Sequence, residues 1–534
     1  MIENGHTLIL GWNSQLFTII SELCAANASR ARSTIVVLAN HDKIDMEGQI
    51  RSKVHKTGST QVICRRGNPL DRHDLHLGSP ETARSVVVLP SDKDEHPDAL
   101  VIKTALALTH QLPPGNEPAI VAELIDPLNL DAARLAGQGR ARWLLASELI
   151  SRMTVQTCLQ GGLSTVCTEL LDFAGDEIYF TEQPQLVGVS YLEAQCAFSR
   201  STVIGIARGE DVRLNPPAET AIEKGDQLIL IAADDSTIEC VAPRSADTTV
   251  ISDLIEVPEQ PERILVLGSN SNLQRMLDDL AKYLAPGSSV HVVTDSTDPA
   301  PLPPEGLTVG VTRADTTSRH VLERLGVENY GHVLVLAYHD RYDVQVADSK
   351  TLVTLLHLRD IADRAALDIN IVSEMLDDRN RELAEVARPD DFIVSSRLVS
   401  LMLAQVSENS ELITVFEQLF SGDGSEIYVV PSELYIRDGA EADFYTVTAA
   451  AARRQETALG YRIAEDAYSN VKSYGVHLNP PKGERRTFGP GDSIIVLAEN
   501  GKGTGRAPQA GVTPAMDRSG AARSRHRPER AIGR

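Results

Sequence analysis

The sequence predicts an α/β protein made of two tandem copies of one unit, in which a Rossmann-like, doubly wound parallel-sheet lobe is followed by a small α+β lobe. Three observations support this prediction. One order of motifs occupies residues 6–235 and returns in residues 262–499. In each copy, short runs of consecutive apolar residues alternate with helix-length segments, as is typical of strands covered on both faces of a parallel sheet. A strand-rich segment containing Asn-Pro-Pro then follows.

The repeat can be followed motif by motif. The matched segments are 7–11 (TLILG) with 264–268 (ILVLG), 143–153 (WLLASELISRM) with 392–402 (FIVSSRLVSLM), and 214–217 with 478–481 (both LNPP). The spacing between motifs differs while the motifs stay intact. A duplicated domain explains this pattern.

The elements of the first copy follow from its apolar pattern. Six parallel strands are predicted at residues 7–10, 34–39, 61–64, 85–89, 119–122 and 143–145. Helical spacing predicts helices over 14–28 and 99–110, with Asn13 or Ser14 as the cap of the first. In the small lobe, strands are predicted at 177–181, 202–207 and 227–232, with Asn-Pro-Pro and Lys-Gly-Asp turns between them.

The chain is therefore predicted to contain six segments. They are a Rossmann-like lobe (1–146), a helical connector with a small α+β lobe (147–244), a linker (245–260), a second Rossmann-like lobe (261–395), a second connector with a small α+β lobe (396–499), and a disordered basic tail (500–534). The tail is rich in Gly, Pro, Ser and Arg, a composition that cannot build a packed core.

Composition limits the classes of function. The 534 residues carry a net charge of −23, which repels nucleic acid and anionic lipid. The six cysteines all lie in the first copy without a C-x-x-C pair, as expected of reduced thiols in the cytosol. No apolar run approaches the roughly 18 residues needed to cross a bilayer, and no signal peptide is visible. We expect a cytoplasmic chain that does not bind nucleic acid.

Each Rossmann-like lobe begins with the strand-to-helix turn at which this fold binds dinucleotides. That chemistry needs G-x-G-x-x-G, so that backbone amides can approach the pyrophosphate. The first copy has Gly11, Trp12 and Asn13, and the second has Gly268 and Asn270, so only the first glycine of the motif is present in either. We expect these residues to line a ligand crevice in which NAD is disfavoured. A turn that binds no nucleotide is the alternative.

Polar residues at two other strand ends are further candidates for this crevice. A carboxylate after the second strand would hold a ribose hydroxyl; the first copy has Asn40 with Asp42 beyond it, and the second has Asp295. The second copy therefore favours a nucleotide more than the first. Glu123 and Glu374 end the fifth strand of each copy, which predicts a shared ligand-binding role. A structural ion pair is the alternative for this repeated charge.

An acidic loop follows the fourth strand of the first copy. It contains Asp92, Asp94, Glu95 and Asp98, at the edge of the sheet where open α/β folds bind ligands. Oxygen ligands at close spacing suit a hard cation such as Ca²⁺, so these four residues are candidate metal ligands. A solvated loop that caps the next helix is the alternative.

The chain lacks the common signatures of catalysis. G-x-S-x-G, H-E-x-x-H and G-x-x-x-x-G-K-[ST] are absent, and none of the 14 histidines occupies a repeated position. The sequence therefore predicts that the chain is not an enzyme. An NAD-binding oxidoreductase-like protein and a free-standing cytosolic ligand sensor are the alternatives to the function inferred next.

A family resemblance rests on several motifs in one order. The tandem pattern resembles the regulator-of-conductance (RCK, KTN-like, TrkA-N-like) domains of potassium channels and transporters, and more closely the Castor/Pollux ion-channel family. The motifs that carry the closer resemblance are GHTLILGW at 5–12, VICRRGNP at 62–69, ARSVVVL at 83–89 and QTCLQGGL at 156–163. They cover the first copy, and the internal repeat extends the resemblance to the second.

The resemblance implies a regulatory role. Such domains form a homo-oligomeric ring below a cation pore, and a ligand, here Ca²⁺ or a nucleotide, rearranges the ring. Pore helices precede GHTLILGW in the family, whereas four residues precede Gly5 here. The resemblance therefore implies a separate membrane pore protein or a missing N-terminal pore segment, with the ring peripheral at the inner face of the membrane. The expected function is regulation of a potassium- or calcium-related channel or transporter.

Overall fold

The computed structural model describes residues 3–499, apart from 93, 114, 116–117, 210, 243, 255–257, 259, 368, 385–389 and 421–423. The tail predicted to be disordered, 500–534, lies outside the described residues. Within the described part of the chain, no helix combines the length and the apolar character needed to span a membrane.

The first copy begins with a sheet of six parallel strands. They are β1 (Thr7–Leu10), β2 (Ser33–Ala39), β3 (Thr60–Arg66), β4 (Ser85–Val88), β5 (Ala119–Leu124) and β6 (Ala141–Leu145). The helices of this lobe are α1 (Leu16–Ala26), α2 (Lys43–Lys53), α3 (Arg72–Leu75), α4 (Pro97–Gln111) and α5 (Leu130–Gly137). The strand order is β3-β2-β1-β4-β5-β6, so the chain winds outward in both directions from β1. The predicted doubly wound sheet is confirmed.

Two helices connect this lobe to a small antiparallel one. The connector is α6 (Ala146–Leu159) and α7 (Leu163–Leu171), and the small lobe contains β7 (Glu177–Glu182), α8 (Tyr191–Cys196), β8 (Thr202–Arg208), β9 (Asp211–Leu214) and β10 (Gln227–Ala232). The strands are ordered β7-β10-β8-β9, and each pair runs antiparallel.

The second copy repeats both lobes. Its Rossmann-like lobe contains β11 (Arg263–Leu267), α9 (Leu273–Tyr283), β12 (Ser289–Thr294), β13 (Thr308–Arg313), α10 (Arg319–Leu325), β14 (His332–Val335), α11 (Val344–Ala365), β15 (Asn370–Met375), α12 (Asp378–Ala384) and β16 (Asp391–Val394). Its connector and small lobe contain α13 (Ser395–Glu408), α14 (Leu412–Leu419), β17 (Ser425–Pro431), β18 (Glu441–Asp443), α15 (Phe444–Ala452), β19 (Thr457–Arg462), β20 (Val476–Leu478), β21 (Arg485–Thr487) and β22 (Ser493–Glu499). The strand orders β13-β12-β11-β14-β15-β16 and β17-β22-β19-β20 match those of the first copy, and β18 pairs with β21.

The two copies exchange their connectors. Helix α6 of the first copy packs on α9 and on β14 to β16 of the second, while α13 of the second packs on α1, β4 and β5 of the first. Polar contacts support the exchange: Ser151 Oγ donates to Asp279 Oδ2 at 3.2 Å, and Gln405 Nε2 donates to the Leu171 carbonyl at 3.1 Å. Each Rossmann-like sheet is therefore covered on one face by a helix from the other copy.

The small lobes also pair, through the asparagines of the two LNPP turns. Asn215 accepts a hydrogen bond from Thr457 Oγ1 at 2.8 Å and donates to the Gln455 carbonyl at 3.1 Å. In mirrored fashion, Asn479 accepts from Thr202 Oγ1 at 3.0 Å and donates to the Arg200 carbonyl at 3.0 Å. Both asparagines adopt the left-handed backbone conformation, with φ of 46° and 44°. The repeated turns thus join the two copies about a local twofold axis.

One local prediction for the first lobe was wrong. We expected Asn13 or Ser14 to cap α1 through a side chain, but the helix begins after Gln15, which makes no side-chain cap. The Asn13 amide donates instead to Gln15 Oε1 at 2.9 Å. The turn before this helix is instead bound by Asp92, whose carboxylate accepts from the Ser14 backbone N–H.

Candidate functional site

The candidate ligand residues surround two crevices at the carboxyl ends of the parallel strands, one in each copy. Gly11 and Gly268 begin the loops at these edges, with φ of 110° and 109°. A Cβ on Gly11 would lie 2.7 Å from the Leu89 carbonyl oxygen, and one on Gly268 would lie 2.4 Å from that of Leu336. The close approach of the neighbouring strand therefore requires both glycines, whether or not a ligand binds.

A carboxylate occupies the helix N-terminus in both crevices. Asp92 Oδ2 accepts a hydrogen bond from the Ser14 backbone N–H at 2.9 Å, ahead of α1. Asp340 accepts the equivalent hydrogen bond from the Ser271 backbone N–H, ahead of α9. These N–H groups belong to the turn at which a Rossmann fold binds pyrophosphate. A bound phosphate would have to displace an internal anion, which weighs against a dinucleotide in either copy.

The four predicted cation ligands do not face one site. Asp92 turns to the α1 turn, Asp94 lines the first crevice, and Glu95 is exposed. Asp98 is buried and accepts hydrogen bonds from the backbone N–H groups of Ile125 and Asp126, both at 2.9 Å. Among the residues that the structure describes, no group of three or more acidic, His or Cys side chains is placed to hold a metal ion.

The role of Asp98 is repeated in the second copy by a residue that the sequence comparison missed. Asp348, fully buried, accepts from the backbone N–H groups of Leu376 and Asp377 at 2.9 and 3.0 Å. Both aspartates also accept from an asparagine amide, Asn129 for Asp98 and Asn380 for Asp348. Their shared function is to fix the turn after the fifth strand. The segment between the fourth strand and this aspartate is longer in the second copy (Leu336 to Asp348) than in the first (Leu89 to Asp98), so an ungapped comparison does not align them.

The first crevice is a cavity of about 350 Å³ lined in part by Gly11, Trp12, Asn40 and Asp94. The Trp12 ring lies edge-on to Phe17, with centroids 5.7 Å apart. Asp42, the other predicted ribose contact, caps α2 by accepting from the backbone N–H of Ile44 at 2.9 Å. Trp12 and Asn40 therefore share the crevice, whereas Asp42 has a structural role.

The second crevice is larger, about 480 Å³, and carries more charge. Asn270, Asp340 and Arg341 line it. Asp295, the predicted ribose carboxylate, accepts from Arg341 Nη1 at 2.9 Å and from Lys350 Nζ at 3.2 Å. Two cations thus hold Asp295 in place. The pairing of Arg341 with Asp295 has no signal in the sequence, because the two residues lie 46 positions apart along the chain.

Glu374 ends β15 in a site rich in hydrogen-bond donors. Its Oε2 accepts from Asn270 Nδ2 at 2.8 Å and from the Ala337 backbone N–H at 3.1 Å, and its Oε1 accepts from Ser395 Oγ at 3.2 Å. Burial raises the pKa of Glu374, while the charge of His339 opposes that rise. Through these hydrogen bonds, Glu374 connects the glycine loop, the loop after β14 and the start of α13.

Glu123 occupies the equivalent place at the end of β5 but lacks such partners. Gln15 Nε2 donates to its Oε1 at 3.3 Å, and its Oε2 has no hydrogen-bond partner among the described residues. The side chain is only 4% exposed. Burial raises the pKa of Glu123 to about 7, and the nearby charges of Asp92 and Asp98 raise it further. The two repeated glutamates, predicted to share a role, therefore lie in unequal surroundings.

Two α/β lobes with exchanged connectors and paired small lobes define the fold as that of tandem RCK domains. The human SLO3 gating ring has this fold: the match has a TM-score of 0.64 at 14% sequence identity and covers 92% of this chain and 98% of that structure. The likeness to this ring is one of fold.

Sequence comparison finds a resemblance to one family. Residues 147–248 match the family model described as Castor and Pollux, part of voltage-gated ion channel. The chain is 31% identical to the probable ion channel CASTOR of Oryza sativa subsp. japonica, over 93% of this chain and 60% of that protein. It is also 31% identical to the ion channel CASTOR of Lotus japonicus, over 93% of this chain and 63% of that protein. The resemblance to the Castor/Pollux family is confirmed, and this chain spans about 60% of the length of these relatives.

Proposed function

We propose that this chain is the cytosolic regulatory ring component of a Castor/Pollux-type cation channel or transporter. The observation that carries the proposal is its 31% identity, over 93% of its length, to proteins named as ion channels. The chain matches only part of those relatives, so the pore is supplied by a further segment or by a separate membrane protein. The ring then lies at the inner face of the membrane, and no catalytic step is involved.

The exchanged connectors provide a route between the crevices. Helix α13 begins at Ser395, which contacts Glu374 in the second crevice, and then packs along α1 and β5 of the first lobe. Helix α6 begins at the first sheet and packs on α9, whose N-terminus faces the second crevice. A ligand that binds one arrangement of the lobes better than another by roughly 1–3 kcal/mol would give useful coupling by population shift.

Assembly into a ring is supported by a repeated apolar surface. Leu106 on α4 and the equivalent Leu356 on α11 are 47% and 49% exposed, and Leu135 on α5 and Leu383 on α12, which do not occupy equivalent positions, are 79% and 62% exposed. Exposed leucines on the corresponding helices of both copies indicate a surface that another subunit covers. We propose that these helices join the chain to further copies of itself.

Measurement of the oligomeric state tests this assembly. Glutamate at both Leu106 and Leu135 is expected to reduce the mass measured by light scattering from that of a ring to that of a smaller species. Ile44 on α2 is 78% exposed and lies outside this surface, so Ile44→Glu is the matched control and should keep the ring intact. A parent chain that is monomeric at micromolar concentration would overturn the ring.

The second crevice is the better ligand site of the two. Its cavity of about 480 Å³ has room for a nucleoside-sized molecule, while Asp340 at the α9 turn repels a pyrophosphate. We propose that a nucleoside or mononucleotide fits this crevice better than NAD does, with Ca²⁺ as the other candidate ligand of the chain. Calorimetric titration of adenosine, ADP, NAD and Ca²⁺ into the parent and into Arg341→Ala tests this; equal affinity of both proteins for every ligand would reject the second crevice.

Channel regulation itself is tested by flux. The reading frame upstream of the chain and the adjacent genes should encode pore helices, and vesicles containing that pore with this chain should pass K⁺ or Ca²⁺ in a ligand-dependent manner. If the pore conducts identically with and without the chain, the proposed function is wrong.

A further inference from the structure

The two crevices differ in the donors that face their buried glutamates. Around Glu374, the donors are the Ala337 backbone N–H and Ser395 Oγ, together with Asn270 Nδ2. The aligned residues in the first copy are Pro90 and Ala146. Proline has no backbone N–H, and alanine has no hydroxyl group. Two of the three hydrogen bonds made by Glu374 are therefore chemically impossible for Glu123.

The third donor is turned away in the first crevice. Asn13, the counterpart of Asn270, directs its amide N–H to Gln15 Oε1 at 2.9 Å rather than to the glutamate. Asn13 Oδ1 and Glu123 Oε2 are both buried, and neither has a hydrogen-bond partner among the described residues. The equivalent side chains in the second copy are within hydrogen-bonding distance, at 2.8 Å. The first copy thus has two unsatisfied acceptors on side chains whose counterparts in the second copy are hydrogen-bonded to each other.

One proton satisfies both acceptors. A neutral carboxyl group has an O–H donor, whereas an ionised carboxylate only accepts. A buried polar atom without a partner costs about 1–3 kcal/mol in proteins, so an arrangement that removes two of them is favoured. Once the proton leaves, Glu123 becomes a buried anion with Gln15 Nε2 as a donor at 3.3 Å to one oxygen, and its other oxygen needs a further donor. The Asn13 amide, whose counterpart Asn270 donates to Glu374, is the group suited to turn and provide it.

We propose that Glu123 and Asn13 form a proton-operated switch in the first crevice. With the proton bound, Glu123 donates to Asn13 Oδ1 and the amide of Asn13 stays with Gln15. With the proton lost, the Asn13 amide turns to the carboxylate, as Asn270 does in the second copy, and the loop from Gly11 to Gln15 rearranges. Glu374 has fixed donors and does not drive such a change. This device belongs to the chain alone and does not rest on the proposed channel role.

The charges around Glu123 favour a neutral group. Asp92 and Asp98, from the loop after β4 and the first turn of α4, are the charged groups that act on it, and both disfavour ionisation. Burial is the larger effect, and together they place the pKa of Glu123 at about 7. Charged residues of the other packed helices are engaged elsewhere. On α13, Arg397 pairs with Asp172 and Asp378, and Glu408 pairs with Arg30 and Arg84. Arg152 of α6 donates to the Phe420 carbonyl, and Glu22 of α1 accepts from the Phe173 N–H.

Trp12 offers a direct readout because it lies next to Asn13 in this loop. The chain has two tryptophans, so Trp143→Phe leaves Trp12 as the sole reporter. His41 lies 5.5 Å from the Trp12 ring, so His41→Gln is included in the parent for the experiment to leave the reporter without a neighbouring imidazole. The emission of Trp12 is then followed from pH 5 to 9 on the folded full chain, with circular dichroism at each pH.

The switch predicts one transition with a midpoint near pH 7, set by Glu123. Glu123→Gln, which mimics the protonated group, should abolish the transition and hold the emission at its low-pH value. Glu374→Gln is the matched control in the second copy and should leave the transition unchanged. A flat parent titration, or one that persists in Glu123→Gln, would overturn the proposal.

A second variant keeps the test decisive if Glu123→Gln folds poorly. Pro90→Ala with Ala146→Ser restores to the first copy the two donors that Glu374 has. Donors to the charged form lower a carboxyl pKa, so the Trp12 midpoint should fall by about one pH unit or more. An unchanged midpoint in this folded double variant would show that donor loss at Pro90 and Ala146 does not set the switch.

Discussion

The two crevices share the same backbone framework but differ in their polar side chains. Each has a glycine at a crowded turn, an aspartate on the backbone N–H before the first helix, and a buried glutamate at the end of the fifth strand. In the second copy, donors surround Glu374 and cations pair with Asp295. In the first, Glu123 is poorly partnered and Asn40 replaces the aspartate. Duplication has therefore preserved the groups that hold the backbone and allowed other polar groups at the strand ends to diverge.

The largest expected effect tests the shared frame. Gly268→Ala should lower the free energy of unfolding by about 3–5 kcal/mol, because it adds both left-handed strain and a clash with the Leu336 carbonyl. Gly11→Ala should cost somewhat less, since its Cβ would meet Leu89 at 2.7 Å rather than 2.4 Å. Gly306 also has a positive φ but no atom within 4 Å, so Gly306→Ala is the control in urea unfolding. Equal losses at Gly268 and Gly306 would show that the close approach is unimportant.

The next prediction separates the crevices by pH. Since burial raises the pKa of Glu123 from 4.5 to about 7, the folded chain keeps a proton that the unfolded chain loses in that range. The contribution of Glu123 to the free energy of unfolding therefore falls as pH rises from about 4.5 to about 7, and is constant above it. At pH 8, Glu123→Gln should be more stable than the parent by about 2–3 kcal/mol, and at pH 4 the two should agree. Other buried carboxylates contribute to both proteins alike, so urea unfolding at both pH values isolates Glu123; a difference independent of pH would contradict this account.

A smaller effect tests the symmetry of the small lobes. Asn215→Ala and Asn479→Ala each remove two hydrogen bonds between copies at a left-handed position, and each should cost about 1–2 kcal/mol. Because the contacts are mirrored, the two losses should be equal within error in urea unfolding. A marked inequality would show that the small lobes, like the crevices, have diverged.

The smallest effect concerns the ion pairs of the second crevice. Asp295→Asn removes its pairing with Arg341 and Lys350, which are partly exposed, so the loss should stay below about 1 kcal/mol. The difference from the parent should shrink in 1 M salt, as measured by thermal unfolding. Asn40→Ala is the matched control in the first copy. A loss at Asp295 that salt does not reduce would mean that the site acts through packing rather than charge.

The sequence was sufficient to predict the parallel sheets because each strand is encoded by a local run of residues. Runs such as residues 8–10 and 86–88 are apolar at every position since both faces of the sheet are covered, and the strands that contain them are buried throughout. The repeat then extended the assignment to the second copy. Fold class and family were both predictable on this basis.

The crevice chemistry was less predictable because it depends on residues far apart in the chain. Asp92 was expected to face a cation, yet it binds the backbone N–H of Ser14, 78 residues away. The sequence does contain a signal for the unequal glutamates: when the two copies are aligned, Pro90 corresponds to Ala337 and Ala146 corresponds to Ser395. Only the fold shows that these four positions face Glu123 and Glu374, so their meaning could not be obtained from the sequence.

The connector exchange also fixes the stoichiometry of the two crevices. In a dimer of separate single-copy chains, a mutation in one crevice would change both, and mixed pairs would form by chance. Here α6 and α13 are exchanged within one polypeptide, so every folded molecule presents one crevice of each kind. Selection can therefore alter one crevice while the other is held constant, and any larger assembly of this chain contains the two kinds in equal number.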